Sequence, residues 1–180
     1  MMMRPASVLA GIVLLAAWLG AALVVGAVVA PAAFAVLPSR TLAGALVGRV
    51  LPVLFWAGIV VGLVVTATTW GLPSRGWRIG AALVLALACA VAQFVIGPRI
   101  ERIRVLIGGP IDALDPASPV RQACGRLHGM SVACLGLAGL AAMLALALRS
   151  LPTAGRTRPG AYATRLLPVV PTAPPYPRIS

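Results

Sequence analysis

Acidic residues are scarce in this chain, with three among 180 residues, and lysine is absent, so all fifteen basic side chains are arginines. The three cysteines, Cys89, Cys124 and Cys134, are an odd number without CxxC spacing and indicate no disulfide framework. No Ser-His-Asp, Walker A, GxGxxG or HExxH pattern is present. We therefore expect a protein that is not an enzyme, with no catalytic residues, no cofactor and no metal site.

Charge is also missing from four long stretches of the sequence. They are Pro5–Ser39, Val50–Ser74, Ile79–Pro98 and Gly129–Leu148. A helix rises about 1.5 Å per residue, so about 20 apolar residues cross a hydrocarbon core of about 30 Å. The chain is 61% hydrophobic, with a mean hydropathy of +1.02. These features predict an all-α membrane protein, and the uncharged spans argue against a pump or a coupled transporter.

The predicted fold is a four-helix transmembrane bundle over residues 1–151, with a disordered Pro/Arg-rich tail over residues 152–180. The expected spans are residues 7–37, 51–70, 77–96 and 129–148. Gly97-Pro98 is expected to interrupt the third helix, and the pattern of Arg99–Ile107 predicts a short amphipathic interfacial helix. Ser118-Pro119 predicts the start of the fourth helix, ahead of its membrane span.

The net charge of +12 first suggests nucleic acid. The arginines, however, lie between apolar spans, where basic residues meet lipid headgroups, so we expect the lipid bilayer and no nucleic acid as partner. Four spans place eight arginines on the side of the termini and seven on the other, which gives no clear orientation. We expect a multi-pass protein of a bacterial inner membrane with cytoplasmic termini.

Small residues recur four positions apart, a spacing that lets helices approach closely in lipid. The pairs are Ala22/Gly26, Gly44/Gly48 and Gly58/Gly62. Two interpretations stay open: tight packing within the bundle, or a face for a homo-oligomer or another membrane-protein partner.

The candidate binding site lies on the fourth helix. Cys124, His128, Ser131 and Leu135 share one face, and Arg126 lies close in sequence. We predict Arg126, His128 and Ser131 as binding residues. Cys124 and His128 could approach one soft metal ion, but two ligands from one helix do not make a site.

Four short elements of the sequence resemble a known family. They are Arg126-Leu127-His128-Gly129-Met130-Ser131, Gly97-Pro98-Arg99-Ile100, Pro31-Ala32-Ala33-Phe34 and Leu42-Ala43-Gly44. Together, over roughly Leu9 to Leu151, they resemble the transmembrane protein 205-like family, also called domain of unknown function 4149. The resemblance implies a four-helix integral membrane protein without an established activity. Members often carry an Asn soon after the Ser of the first element, where this chain has Cys134-Leu135.

Two functions from different classes fit these patterns. The first is a structural or accessory role through helix–helix contacts. The alternative is a small transporter or a metal- or haem-handling membrane protein centred on His128. Gln93, the one amide within the spans, is expected either to bond a neighbouring helix or to line a pore.

Overall fold

The computed structural model of the chain describes residues 5–70, 76–115 and 117–150. Helix α1 consists of Pro5–Val24, a π-helical turn at Val25–Val29, and Ala30–Val36. Helix α2 is Arg40–Thr69. Helix α3 consists of Gly76–Val91, a π-helical turn at Ala92–Ile96, and Gly97–Ile107, and α4 is Pro119–Ser150. A 3₁₀ turn at Ile111–Ala113 lies between α3 and α4, and the described part of the chain contains no strand.

All four helices are long and apolar enough to cross a membrane, which confirms the predicted all-α fold and a multi-pass membrane protein. Each helix is longer than a bilayer requires. In particular, α2 begins at Arg40 and α4 begins at Pro119, the predicted start. The predicted tail, residues 152–180, lies outside the described residues.

The helices form a ring in which sequence neighbours are also neighbours in space. Helices α2 and α4 both pack against α1 on one side and against α3 on the other. The core between them is made of small and medium side chains together with Trp18 and Phe55, which are each 3% exposed. Large apolar side chains such as Leu87 and Leu140 point outward and are mostly exposed. Such an apolar exterior is what a lipid solvent requires.

Each π-helical turn ends two residues before a proline, Pro31 in α1 and Pro98 in α3. At the end of α3's turn, the Gly97 N–H bonds to the Ala92 carbonyl, five residues back. Proline lacks an N–H, and its ring clashes with the carbonyl four residues back. We infer that the wider register before each proline relieves this conflict.

The predicted interruption at Gly97-Pro98 is therefore wrong. The segment Gly97–Ile107 is helical, as expected, but it continues α3 directly instead of following a break. The helix ends at Gly108, which has a positive φ of 61° and whose N–H bonds to the Arg104 carbonyl. A left-handed glycine in this position is a common helix stop.

The Gly58/Gly62 pair brings α2 close to α3. A Cβ on Gly62 would lie 2.8 Å from the Ala82 carbonyl oxygen, and one on Gly58 would lie 2.5 Å from the Cys89 sulfur. This pair therefore serves packing within the bundle, the first of the two interpretations. At Gly26, by contrast, an added Cβ would meet no atom within 4 Å among the described residues.

Arg149 ties the end of α4 to the neighbouring helices. Its Nη2 donates hydrogen bonds to the Val65 carbonyl at 3.0 Å, to Thr68 Oγ1 at 3.1 Å and to Thr69 Oγ1 at 2.6 Å, all on α2. Its Nη1 is buried and has no hydrogen-bond partner within the described residues. On α1, an added Cβ at Gly11 would lie 1.8 Å from this Nη1. Gly11 thus provides the space in which the guanidinium lies.

We expect Gly11→Ala to displace the Arg149 guanidinium and to lower the free energy of unfolding by about 1–2 kcal/mol, because hydrogen bonds from a charged group are lost. In an Arg149→Ala background the same substitution should be neutral or stabilising, by up to about 1 kcal/mol, because alanine favours helix more than glycine does. A double-mutant cycle in SDS titrations measures this coupling. Additive effects of the two substitutions would contradict it.

Candidate functional site

A cavity of about 800 Å³ lies at the end of the bundle where α1 and α3 end and α2 and α4 begin. All four helices contribute to its wall, together with the loop after α3. The lining residues come from Phe34 of α1 and from positions within 40–55, 92–104, 109–111 and 121–131.

The cavity changes in polarity along its length. Its charged lining residues are Arg40, Glu101, Arg104 and Arg121, all near the helix ends. From Arg40 to Phe55 the cavity follows α2 for about 22 Å, at about 1.5 Å per residue. At the inner end, apolar residues such as Phe55 meet uncharged polar ones. The cavity thus has a cationic outer end and a mainly apolar inner end.

The structure brings two of the three predicted binding residues into this cavity. His128 and Ser131 line it, together with Cys124 from the same helix face. Ser131 is buried at 6% exposure, whereas His128 is exposed. Arg126 is exposed and is not part of the cavity wall. Gln93, which was expected either to bond a neighbouring helix or to line a pore, also lines the cavity.

Arg104 lies against bare backbone of α2. Its Nη2 donates a hydrogen bond to the Gly44 carbonyl at 3.1 Å. A Cβ on Gly48 would lie 3.1 Å from Arg104 Nη1. Gly48 therefore makes room for a guanidinium that bonds to the Gly44 carbonyl, which is a use of small-residue spacing that the sequence patterns did not indicate.

Arg121 holds the loop beside the cavity. Its Nη1 donates a hydrogen bond to the Leu114 carbonyl at 2.6 Å. In the same loop the Ala117 N–H donates to Asp115 Oδ1 at 2.8 Å, and the Gln122 N–H donates to the Ser118 carbonyl at 3.1 Å. These bonds fix the start of α4 and thereby the positions of the cavity residues that follow it.

The two parts of α1 have different neighbours. Pro5–Val24 packs against both α2 and α4, whereas Ala30–Val36 packs mainly against α2. Helices α1 and α4 therefore separate toward the cavity end. Phe34 on one edge is 44% exposed and His128 on the other is exposed, and both line the cavity. The cavity thus opens sideways between α1 and α4, toward the surface that faces lipid.

Metal ligation at His128 finds no support in the neighbouring side chains. Across residues 5–70, 76–115 and 117–150, no three His, Cys, Asp or Glu side chains form a group that could hold a metal ion. The described cysteines, Cys89, Cys124 and Cys134, are free thiols.

Comparison with known proteins gives one match. The profile of a domain of unknown function, DUF4149, matches residues 13–107, which are most of α1 and all of α2 and α3. The match ends before α4, so it does not include the Arg126–Ser131 element. No curated protein and no solved structure matches the chain. Because the matched region is more than half of the 180 residues, the chain belongs to the DUF4149 family.

Proposed function

We propose that this membrane protein binds a small amphiphilic molecule in the cavity between its helices. The observation that carries the proposal is the cavity of about 800 Å³ with a cationic outer end and a mainly apolar inner end. Binding sites for small molecules typically have volumes of about 300–1,000 Å³, mainly apolar walls and a few placed polar groups. A molecule with a polar head and an apolar body matches this gradient.

The position of the packed core favours binding over conduction. The cavity's inner wall includes Phe55 and Ala92, and both residues are also part of the buried core. Beyond them the core continues with Trp18 and Leu85, which are 3% and 0% exposed. A molecule entering the cavity therefore meets packed side chains instead of a path through the bundle. The cavity thus binds its ligand without a catalysed reaction.

The helix-contact role expected from the small-residue pairs has less support than ligand binding. Gly58/Gly62 packs α2 against α3 within the chain, and Gly44/Gly48 accommodates Arg104. Two of the three pairs are thus used internally. We also propose two finer assignments. The first is a bacterial inner membrane, and the second is the identity of this family with the transmembrane protein 205-like family, which the Arg126–Ser131 element supports.

A cavity-filling substitution tests the proposal. Ser131→Phe places an aromatic ring at a buried position that lines the cavity, while Val132→Phe places the same ring on the neighbouring, 54% exposed position. Each protein is extracted into polymer nanodiscs, and the co-purified small molecules are identified by native mass spectrometry. We expect wild type and Val132→Phe to retain the same molecule, and Ser131→Phe to retain about tenfold less, because its ring occupies the space.

Circular dichroism and thermal melting of both variants check that they are folded. Equal retention by a folded Ser131→Phe protein would contradict the proposal. So would a wild-type protein that retains each lipid and small molecule in the same amount as nanodiscs of an unrelated membrane protein.

A further inference from the structure

The charges at the cavity's outer end favour an anionic ligand over the basic C-terminal segment. Residues 152–180 contain four arginines and no acidic residue, and the cavity's outer end has three arginines and one glutamate. Because like charges repel, a basic segment is an unfavourable ligand for this end. In addition, α4 ends at the opposite end of the bundle, beside Gly11 and Thr69. We therefore expect the ligand to be a separate, anionic molecule.

Arg104 is prepared to bind an anion. Among the described residues, the bond to the Gly44 carbonyl is the one hydrogen bond that its guanidinium makes. A guanidinium carries five N–H donors, so the others remain for a ligand. Planar, multidentate donation is the geometry that phosphate and carboxylate groups prefer. Arg40 and Arg121 also line this end, while Glu101 offsets part of their charge.

The sideways opening indicates the source of the anion. It lies between Phe34 on α1 and His128 on α4, on the surface that faces lipid. A molecule that arrives there comes from the bilayer and brings an apolar chain with it. The inner end, with Phe55 and Leu51, offers an apolar surface to such a chain.

We infer that the cavity binds an anionic glycerophospholipid, which enters from the bilayer between α1 and α4 and places its phosphate against Arg104 and Arg121. This inference rests on the proposed function, and it adds the ligand class, the route of entry and two specificity-determining residues. It assigns no role to Arg126, which lies outside the cavity wall.

The test compares phosphatidylglycerol with phosphatidylcholine of identical acyl chains, each added to the purified protein and counted by native mass spectrometry. We expect the wild type to prefer phosphatidylglycerol by about tenfold. Arg104→Gln and Arg121→Gln should each reduce this preference by about fivefold, the effect of one arginine on an anionic lipid. The matched controls Arg99→Gln and Arg126→Gln remove exposed arginines on the same helices and should leave it within about twofold.

A phosphate competition and the control variants separate the alternatives. Millimolar inorganic phosphate should not displace phosphatidylglycerol, and displacement would show that the site takes free phosphate, which overturns the inference. Equal losses in the Arg99 and Arg104 variants would show binding at the lipid-facing surface and would overturn it as well. If the wild type shows no lipid preference but still retains a molecule that Ser131→Phe loses, the inference fails and the proposed function stands. If nothing is retained, both fail.

Discussion

Trp18→Ala should lower the free energy of unfolding by about 3–5 kcal/mol, the cost of removing a large aromatic side chain from a core. Trp18 is 3% exposed, and its Nε1 donates a hydrogen bond of 2.9 Å to the Leu54 carbonyl on α2. In lipid, apolar side chains gain little from leaving the solvent, so close packing and hydrogen bonds between helices hold the bundle together. The substitution removes both. Unfolding by SDS in mixed micelles, followed by circular dichroism, measures the loss.

Trp56→Ala is the matched control, because it removes the same side chain from a lipid-facing position. Trp56 is 49% exposed and makes an edge-to-face contact with Phe94, at 5.3 Å between ring centroids. Loss of that contact should cost about 0.5–1.5 kcal/mol. Trp18→Phe retains most of the packing and should cost about 1 kcal/mol for the lost hydrogen bond. Similar costs for Trp18→Ala and Trp56→Ala would show that the bundle is not held by its core.

The spans were predictable because they depend on a property of each segment alone. A helix in lipid must be about 20 residues long and uncharged whatever its neighbours are. The start of α4 at Pro119 followed in the same way from a local signal, Ser118-Pro119. Such features need no knowledge of which helices meet.

The continuation of α3 through Pro98 was not predictable from local rules. A proline inside a helix usually costs about 3 kcal/mol, which favours a break. In the structure, the hydrogen-bond register widens at Ala92–Ile96 before the proline, and the same arrangement precedes Pro31 in α1. The sequence carries no periodic signal for one wide turn. The packing of Gly97–Ile107 against α4 then supports the continued helix.

The candidate site was predictable on one helix and not across helices. Spacing placed Cys124, His128 and Ser131 on one face of α4, and that face lines the cavity. The partners of that face depend on which helices are adjacent and at what height. Arg104, sixty residues along the chain from Gly44, illustrates the limit. Its sequence position indicated only the polar side of an amphipathic helix.

The glycine pairs show how one pattern serves two purposes. At Gly48 the missing side chain leaves room for the Arg104 guanidinium, and at Gly58 it leaves room for the Trp18 indole. The sequence indicated close approach in both cases. It did not indicate whether a backbone, an aromatic ring or a cation would approach. The group that approaches depends on the facing helix. It is a cation at the cavity end of α2 and an aromatic ring at the packed end.

Gly62→Ala should lower the free energy of unfolding by about 2–3 kcal/mol, although alanine is the better helix former. The added Cβ would lie 2.8 Å from both the Ala82 carbonyl oxygen and the Ala86 Cβ, and 3.0 Å from the Ala86 nitrogen. These atoms belong to the backbone or are fixed to it, so no side-chain rotation relieves the overlap. Helices α2 and α3 must move apart, which weakens the most extensive helix–helix contact of the bundle.

Gly80→Ala on α3 is the control for this prediction, because its added Cβ meets nothing within 4 Å among the described residues. It should raise the free energy of unfolding by up to about 1 kcal/mol through helix propensity alone. SDS titration of both variants measures whether each substitution raises or lowers the free energy of unfolding. Gly58→Ala should fall on the destabilising side as well, since its Cβ would lie 2.9 Å from Trp18 Nε1. If Gly62→Ala proved as stable as Gly80→Ala, the close approach of α2 to α3 at Gly62 would be disproved.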